Sequence, residues 1–287
     1  MATVAGPASD GWGEDDNPRR YDAYAREYPA YRETSRDLIA LALPSADAGV
    51  ADATVLDLAC GTGATTREIL AVLSPDGRVT GVDKSAAMLG VAASLMANPR
   101  ATWIQARAES VDQHVTEPVD AVICNSAIWQ TDFAATAMAV RAVMKAGGRF
   151  AFNVPVGFLD DGDSHRSRER YPSLLAEMRE IAERDYDWAP DDGAPGRVRQ
   201  RLTQESICRS LSAAGFDVEQ AREVSHQNSA ESQRAWLSIP IFTKDQLGGL
   251  PYEDRMRVLD KAYERLGPGQ TERAPWVVFA ARAGDSR

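Results

Sequence analysis

The stretch Thr54-Val55-Leu56-Asp57-Leu58-Ala59-Cys60-Gly61-Thr62-Gly63 is a short apolar strand that runs directly into a glycine turn, and a helical pattern opens at Ala64. A strand ending this way brings backbone N–H groups and a helix N-terminus up to a ligand, and glycine alone allows so close an approach at no steric cost. The pattern implies a nucleoside-bearing ligand. What the turn lacks narrows the choice. A dinucleotide fingerprint wants Gly-x-Gly-x-x-Gly, but here Gly61-Thr62-Gly63-Ala64-Thr65 is followed by the larger, branched Thr66. The turn also has no Lys-Ser or Lys-Thr pair to hold a phosphate and its magnesium, which excludes a P-loop.

A second strand, 78–82, finishes in Asp83, where a carboxylate can take both hydroxyls of a ribose. The alternative for Asp83 is a cap on the helix that begins near Ser85. Glycine turn, helix, second strand and terminal carboxylate together are far more specific than the turn alone.

Beyond these elements strand and helix patterns alternate, which argues for an α/β fold with a parallel sheet covered on both faces. Strands are expected at 54–58, 78–82, 101–105, 119–124, 149–154, 216–224 and 276–281. Helices are expected at 64–73, 86–96, 133–144 and 204–214, the last ended by Gly215. Two stretches stand outside the alternation: 155–201, with a helical piece at 173–183, and 229–267, with helical pieces at 232–237 and 252–266. Insertions of that size are usually lids or binding loops. The expected organisation is a disordered tail and N-terminal helical lid over 1–50, with residues 1–17 as the tail, then a core over 51–154. A lid insertion (155–201), more core (202–228), a helical insertion (229–272) and a last strand with tail (273–287) follow. Ligands of open parallel sheets lie beyond the carboxyl ends of the strands, so the candidate site comprises 59–63, Asp83 and Lys84, 106–109, 125–129, 155 onward and 225–227.

The runs 55–63, 79–89 and 119–154 resemble the class I S-adenosylmethionine-dependent methyltransferases, in particular the small-molecule branch that includes quinone-biosynthesis enzymes. The match is carried by Asp57, Gly61 and Gly63 after strand one, by Asp83 after strand two, and by Lys145-Ala146-Gly147-Gly148-Arg149 leading into strand five. The resemblance implies a Rossmann-like, doubly wound sheet of seven strands with helical lid insertions, and S-adenosyl-L-methionine as cofactor with S-adenosyl-L-homocysteine as product. It implies cofactor contacts from Tyr21, Asp57, Ala59, Gly61, Thr62, Gly63, Asp83, Lys84, Met88, Arg107, Ala108, Glu109, Asn125 and Ser126. One position departs from the family, which often has an Asp after strand three to accept from the adenine amino group. Arg107 stands there and has donors only. Adenine recognition then rests on the Ala108 backbone, on stacking by Arg107, or on Glu109. Substrate is not implied, because loops graft function onto a shared fold.

Methyl transfer from a sulfonium needs alignment and exclusion of water rather than a metal or covalent intermediate. Aromatic faces suit the cationic sulfur, which singles out Trp129, just past strand four, and the tyrosines. Tyr21, Tyr24, Tyr28 and Tyr31 recur at helical spacing, interrupted at Pro29. Trp129 and Tyr28 are candidate substrate walls, with core packing as the alternative. A hydroxyl acceptor is helped by a general base, for which His226 and His165 are candidates and His114, before strand four, is on the wrong side. Asp132 reads as a helix cap. The expected function is methylation of a small organic acceptor, a bulky and partly apolar natural-product intermediate, with oxygen ahead of nitrogen or carbon. Two competitors remain. One is a protein of this fold and cofactor that catalyses a non-methylating rearrangement or cyclisation. The other is an NAD(P)-dependent reductase, weakened by Thr66 and by the lack of Tyr-x-x-x-Lys after strand four.

Composition sets the remaining expectations. The 287 residues carry a formal charge of −10, which opposes nucleic-acid binding, since phosphate affinity comes from clustered Lys and Arg. Three widely spaced cysteines, Cys60, Cys124 and Cys208, make a disulfide framework or metal site an unsuitable reading, and Cys60 in the turn reads as small apolar filling. No apolar run approaches the roughly 20 residues of a membrane span, and no signal-peptide pattern is present. A cytoplasmic protein without membrane or nucleic-acid partners is expected, and a homodimer is compatible with the sequence.

Overall fold

A computed structural model describes residues 11–43, 52–160, 174–189, 202–267 and 269–285. His165 lies outside them. The chain opens with α1 (Asn17–Glu27) and α2 (Ala30–Ala42), separated where Tyr28 turns extended before Pro29. The core follows as β1 (Thr54–Leu58), α3 (Ala64–Val72), β2 (Arg78–Asp83), α4 (Ala86–Leu95), β3 (Ala101–Gln105), β4 (Val119–Cys124), α5 (Phe133–Val143) and β5 (Met144–Pro155). After α6 (Leu174–Tyr186) come α7 (Gln204–Ala213), β6 (Phe216–Ser229), α8 (Ala230–Leu237), α9 (Pro240–Gln246), α10 (Tyr252–Leu266) and β7 (Thr271–Ala283).

Among the described residues the strands form one seven-stranded sheet in the order β3-β2-β1-β4-β5-β7-β6. β1 to β5 pair in parallel, while β7 is antiparallel to both β5 and β6. The strand order reverses between β1 and β4, and a crevice opens there at the carboxyl ends. Alternation along each strand sends side chains to two cores. Val55, Val79, Ala121, Ile123 and Val278 face Leu38 and Ile69 of α2 and α3. Leu56, Leu58, Val122, Phe150, Phe152 and Phe279 face Val140 of α5 and Leu211 of α7. Phe152 and Phe279 stack at 4.9 Å in the second core.

Local chemistry explains the helix limits. The Ser85 side chain accepts from Met88 N–H at the start of α4, and Asp132 accepts from Ala135 N–H at the start of α5. Thr203 and Ser206 form a reciprocal capping box on α7. Gly215, at φ +89°, turns the chain out of α7.

Two expectations need correction. Residues 11–16, read as part of a disordered tail, form an ordered turn before α1: Asn17 donates to the Gly11 carbonyl at 3.0 Å and accepts from Ile241 N–H at 3.2 Å. β6 and β7 are longer than the apolar pattern suggested, because they pair with each other from Phe216–Ala283 out to Ser229–Thr271 while their outer halves are polar. Antiparallel pairing of this kind needs backbone partners, not continuous apolarity. The helical pieces of the two insertions share a core of their own, with Met178 and Ile181 of α6 against Leu237, Leu247, Val258 and Leu259. No helix among the described residues is long and apolar enough to cross a membrane.

Candidate active site

A cavity of about 660 Å³ lies over the carboxyl ends of the parallel strands, within the range of small-molecule sites. At one end is the turn after β1. Ala59 and Gly61 hold left-handed backbone angles, φ +56° and +55°, and both line the cavity. A Cβ on Gly61 would sit 3.3 Å from Met88 Cε and 3.8 Å from Tyr21 Cε1, so glycine keeps that cradle open. Asp83 closes it. One carboxylate oxygen accepts Gly61 N–H at 2.9 Å and the other accepts Ser85 N–H at 2.8 Å. The cap and the ligand readings of Asp83 are thus compatible, since a carboxylate oxygen can accept more than one hydrogen bond and the residue lines the cavity. A cradle without a side chain, facing a carboxylate held by backbone donors, fits an adenosyl ligand.

Three residues expected to touch the cofactor lie outside the cavity lining, Asp57 beneath the turn and Thr62 and Gly63 within the turn itself. Asp57 is 1% exposed and accepts the Thr66 hydroxyl at 2.5 Å. The place of the missing third glycine is therefore used, by a hydroxyl that ties α3 to β1. Thr62 is fully buried, with its Oγ1 unpartnered among the described residues.

Burial pushes the Asp57 carboxyl up to about 7, opposed by the Thr66 hydroxyl and reinforced by the charge of Asp83. The folded chain then holds this proton over a pH range in which the unfolded chain releases it, so stability falls as pH rises from about 4 to about 7 and levels off above. Asp57→Asn is expected to remove that loss, gaining on wild type by up to roughly 4 kcal/mol between pH 4 and pH 8, about three pKa units. Urea unfolding of both proteins across that range checks it. A difference independent of pH would contradict the assignment.

The third and fourth strands supply the next wall. Arg107 donates to Glu109 Oε1 at 3.2 Å, and the same oxygen accepts Asp132 N–H at 3.0 Å. Lys84, Ala108 and Ser126 also line the cavity, as does Asn125. The Asn125 amide is committed to the scaffold. Its nitrogen reaches Ser35 Oγ at 3.0 Å and the Tyr31 carbonyl at 3.3 Å, and its oxygen accepts from Asn153 at 2.8 Å and from Ser126 Oγ at 3.0 Å. Ser126, at φ +58°, is pinned by Asn153 Oδ1 on its backbone N–H at 2.7 Å.

The rest of the cavity lining is largely aromatic. Tyr21 and Tyr31 pack at 5.1 Å, and burial pushes both phenols above their ordinary range. Trp129 is 8% exposed, joins the core beside Phe158 and Trp276, and also lines the cavity. Tyr28 does not line it. Tyr28 stacks on the outside of Tyr24, and Tyr24 turns inward with its hydroxyl 3.0 Å from Ser232 Oγ. His226 does line the cavity, but its ring nitrogens are turned to carboxylates, Nε2 to Asp37 at 2.6 Å and Nδ1 to Glu33 at 3.4 Å. Carboxylates beside both ring nitrogens compete with service as a base. Trp12, Trp236, Phe242, Glu272 and Trp276 line the cavity too, and sequence reasoning assigned none of them a role. The tyrosine spacing signalled Tyr31; nothing local signalled the others.

Residues 55–148 match the family model for a methyltransferase domain. A trans-aconitate 2-methyltransferase of Paracidovorax citrulli (strain AAC00-1) is 32% identical over 149 residues, 52% of this chain and 51% of that protein. The chain thus spans about half the length of that relative. Among solved structures, YcgJ of Bacillus subtilis aligns with a TM-score of 0.57 at 14% identity, over 89% of this chain and 100% of the other. The 4+2 cyclase SpnF aligns with a TM-score of 0.53 at 17% identity, over 90% and 82%. At such identities the likeness shows a shared fold: the seven-stranded, Rossmann-like fold of class I methyltransferases.

Proposed function

We propose, for a chain whose residues 55–148 form a methyltransferase domain on the class I S-adenosylmethionine-dependent fold, that it methylates a hydroxyl of a bulky, partly apolar small molecule. The observation that carries this is the continuity of one cavity from the Gly61 cradle and Asp83 to the walls of Tyr31, Trp129 and Trp236. When bound, S-adenosylmethionine supplies an electrophilic methyl group. Asp83 accepts the ribose hydroxyls, Gly61 lets backbone close on the nucleoside, and Glu109 offers the acceptor oxygen that Arg107 lacks. Tyr21 and Tyr31 exclude water and present ring faces that favour positive charge. Alignment then contributes most of the rate.

The acceptor chemistry differs from that named for the trans-aconitate relative. A polycarboxylate calls for several unpaired cations, whereas among the described residues that line the cavity Arg107 is paired with Glu109, His226 faces Asp37 and Glu33, and Lys84 alone is a cation without an ion pair. The acceptor half instead adds Asp245 and Glu272 to its aromatic rings. A small neutral or donor-bearing molecule suits it better. A natural-product intermediate fits that description.

The engagement of both His226 nitrogens favours a second reading, in which the cofactor serves electrostatically and the cavity promotes a cyclisation. The nicotinamide reading finds no support, since Thr66 is buried against Asp57 where the third glycine would be. Incubation with S-adenosylmethionine labelled in its methyl group, over a panel of polycyclic phenols, amines and carboxylic acids, tests the proposal. Label in a phenol product is expected. Retention of all label on the cofactor while a substrate is consumed would favour the second reading, and absence of S-adenosylhomocysteine binding by calorimetry would overturn both.

A further inference from the structure

We propose that Glu272 and Asn228 form the polar anchor of the acceptor molecule and select an apolar body that carries a hydrogen-bond-donating hydroxyl. The inference rests on the reading of the cavity as a methyl-acceptor site and adds the group the acceptor must present. Both residues line the cavity, on strands outside the methyltransferase-domain match. They are directly opposed in the β6–β7 register, so their side chains leave the same face of the sheet as neighbours. Asn228 Oδ1 is buried without a hydrogen-bond partner among the described residues. No side-chain hydrogen bond or ion pair holds the Glu272 carboxylate among the described residues. His226, diagonal to Glu272 on the same face of the opposed strand, is already held by Asp37 at 2.6 Å.

Two oxygen acceptors side by side, half-buried on the wall of a cavity that tryptophans also line, ask for a donor from the ligand. Buried polar groups in folded proteins are almost always satisfied, and an exception at a cavity wall points to what the cavity takes. Burial, with no cation to offset it, raises the Glu272 carboxyl above its ordinary range, which strengthens the demand for a donor. An anionic headgroup is repelled here, and a purely apolar ligand leaves both oxygens dry and unpaired.

Calorimetry with three probes separates these cases, in the presence of saturating S-adenosylhomocysteine: 2-naphthol, 2-methylnaphthalene and 2-naphthoate. The intact chain is expected to bind 2-naphthol about tenfold or more tighter than 2-methylnaphthalene, with 2-naphthoate the weakest, in line with a hydrogen bond to a charged group. In Glu272→Leu, and less completely in Glu272→Gln and Asn228→Ala, the preference for 2-naphthol collapses. Affinity for S-adenosylhomocysteine stays within about twofold, while 2-methylnaphthalene binds Glu272→Leu more tightly than the intact chain, because no carboxylate is left unpaired beside it. Survival of the 2-naphthol preference in Glu272→Leu, or its absence from the intact chain, would overturn the anchor while leaving the cofactor reading standing. Failure of the intact chain to bind S-adenosylhomocysteine would instead remove the premise, and the anchor with it.

Discussion

Asp83→Ala is expected to weaken S-adenosylhomocysteine binding by at least about 100-fold, the sum of two ribose hydrogen bonds to a charged acceptor at roughly 1.5–3 kcal/mol each. The size follows from how the carboxylate is prepared. Gly61 N–H and Ser85 N–H hold its two oxygens at 2.9 and 2.8 Å, so it is oriented before any ligand arrives and little ordering cost is left for binding. The same bonds mean that alanine also frees the turn. Asp83→Asn separates the two effects, because its single carbonyl can keep one backbone donor while the amide replaces an acceptor with a donor. Comparing S-adenosylhomocysteine with its 2′,3′-dideoxy analogue isolates the ribose. In the intact chain the dideoxy compound should bind far more weakly, and in both variants the gap should close. A gap that persists in Asp83→Asn, with circular dichroism showing an intact fold, would place the hydroxyls elsewhere.

Much of this half of the site was legible in the sequence because local chemistry sets it. β1, β3 and β4 have the limits expected from their apolar runs, each bounded by a polar or glycine-bearing turn. Pro29 divides the first two helices, as its missing N–H and fixed φ demand. The acceptor half was less legible because distant pairs build it. His226 was placed at the correct end of the sheet, yet Asp37, 189 residues away, determines what its ring can do. The polar composition before Asn17 suggested disorder, but contacts with Ile241 order it and bring Trp12 to the cavity. Periodicity could not choose between Tyr24 and Tyr28, since both share the helical stripe. The packing of α1 against α8 and α9, through Ser232 and Ile241, settles which one faces inward. Glu272 carried no signal at all, because its meaning comes from the strand opposite.

Gly81→Ala should lower the melting temperature by roughly 4–10 °C, against the trend that replacing a strand glycine usually stabilises. Gly81 lies between Asp57 of β1 and Trp103 of β3 in the sheet register. A β-carbon there would fall 2.5 Å from Trp103 Cζ3 and 3.0 Å from Cys60 Sγ. The same indole reaches Gly63, at φ +81°, where a β-carbon would meet Cη2 at 2.8 Å. One tryptophan therefore fills the space of two absent side chains and supports the turn from below, so the added methyl must displace the ring or the strand. Overpacking of this kind costs about 1–3 kcal/mol, and in a chain of this size each kcal/mol moves the midpoint by a few degrees. Because the ring is the obstacle, Trp103→Ala should absorb part of the damage: the double variant is expected to be at least about 1 kcal/mol more stable than the sum of the singles. Binding gives an independent readout. S-adenosylhomocysteine affinity should drop in Gly81→Ala, since a displaced indole shifts the Gly61 to Gly63 turn that carries the cradle, and should recover in part in the double variant. Strict additivity in both stability and binding would show that the indole does not support the turn.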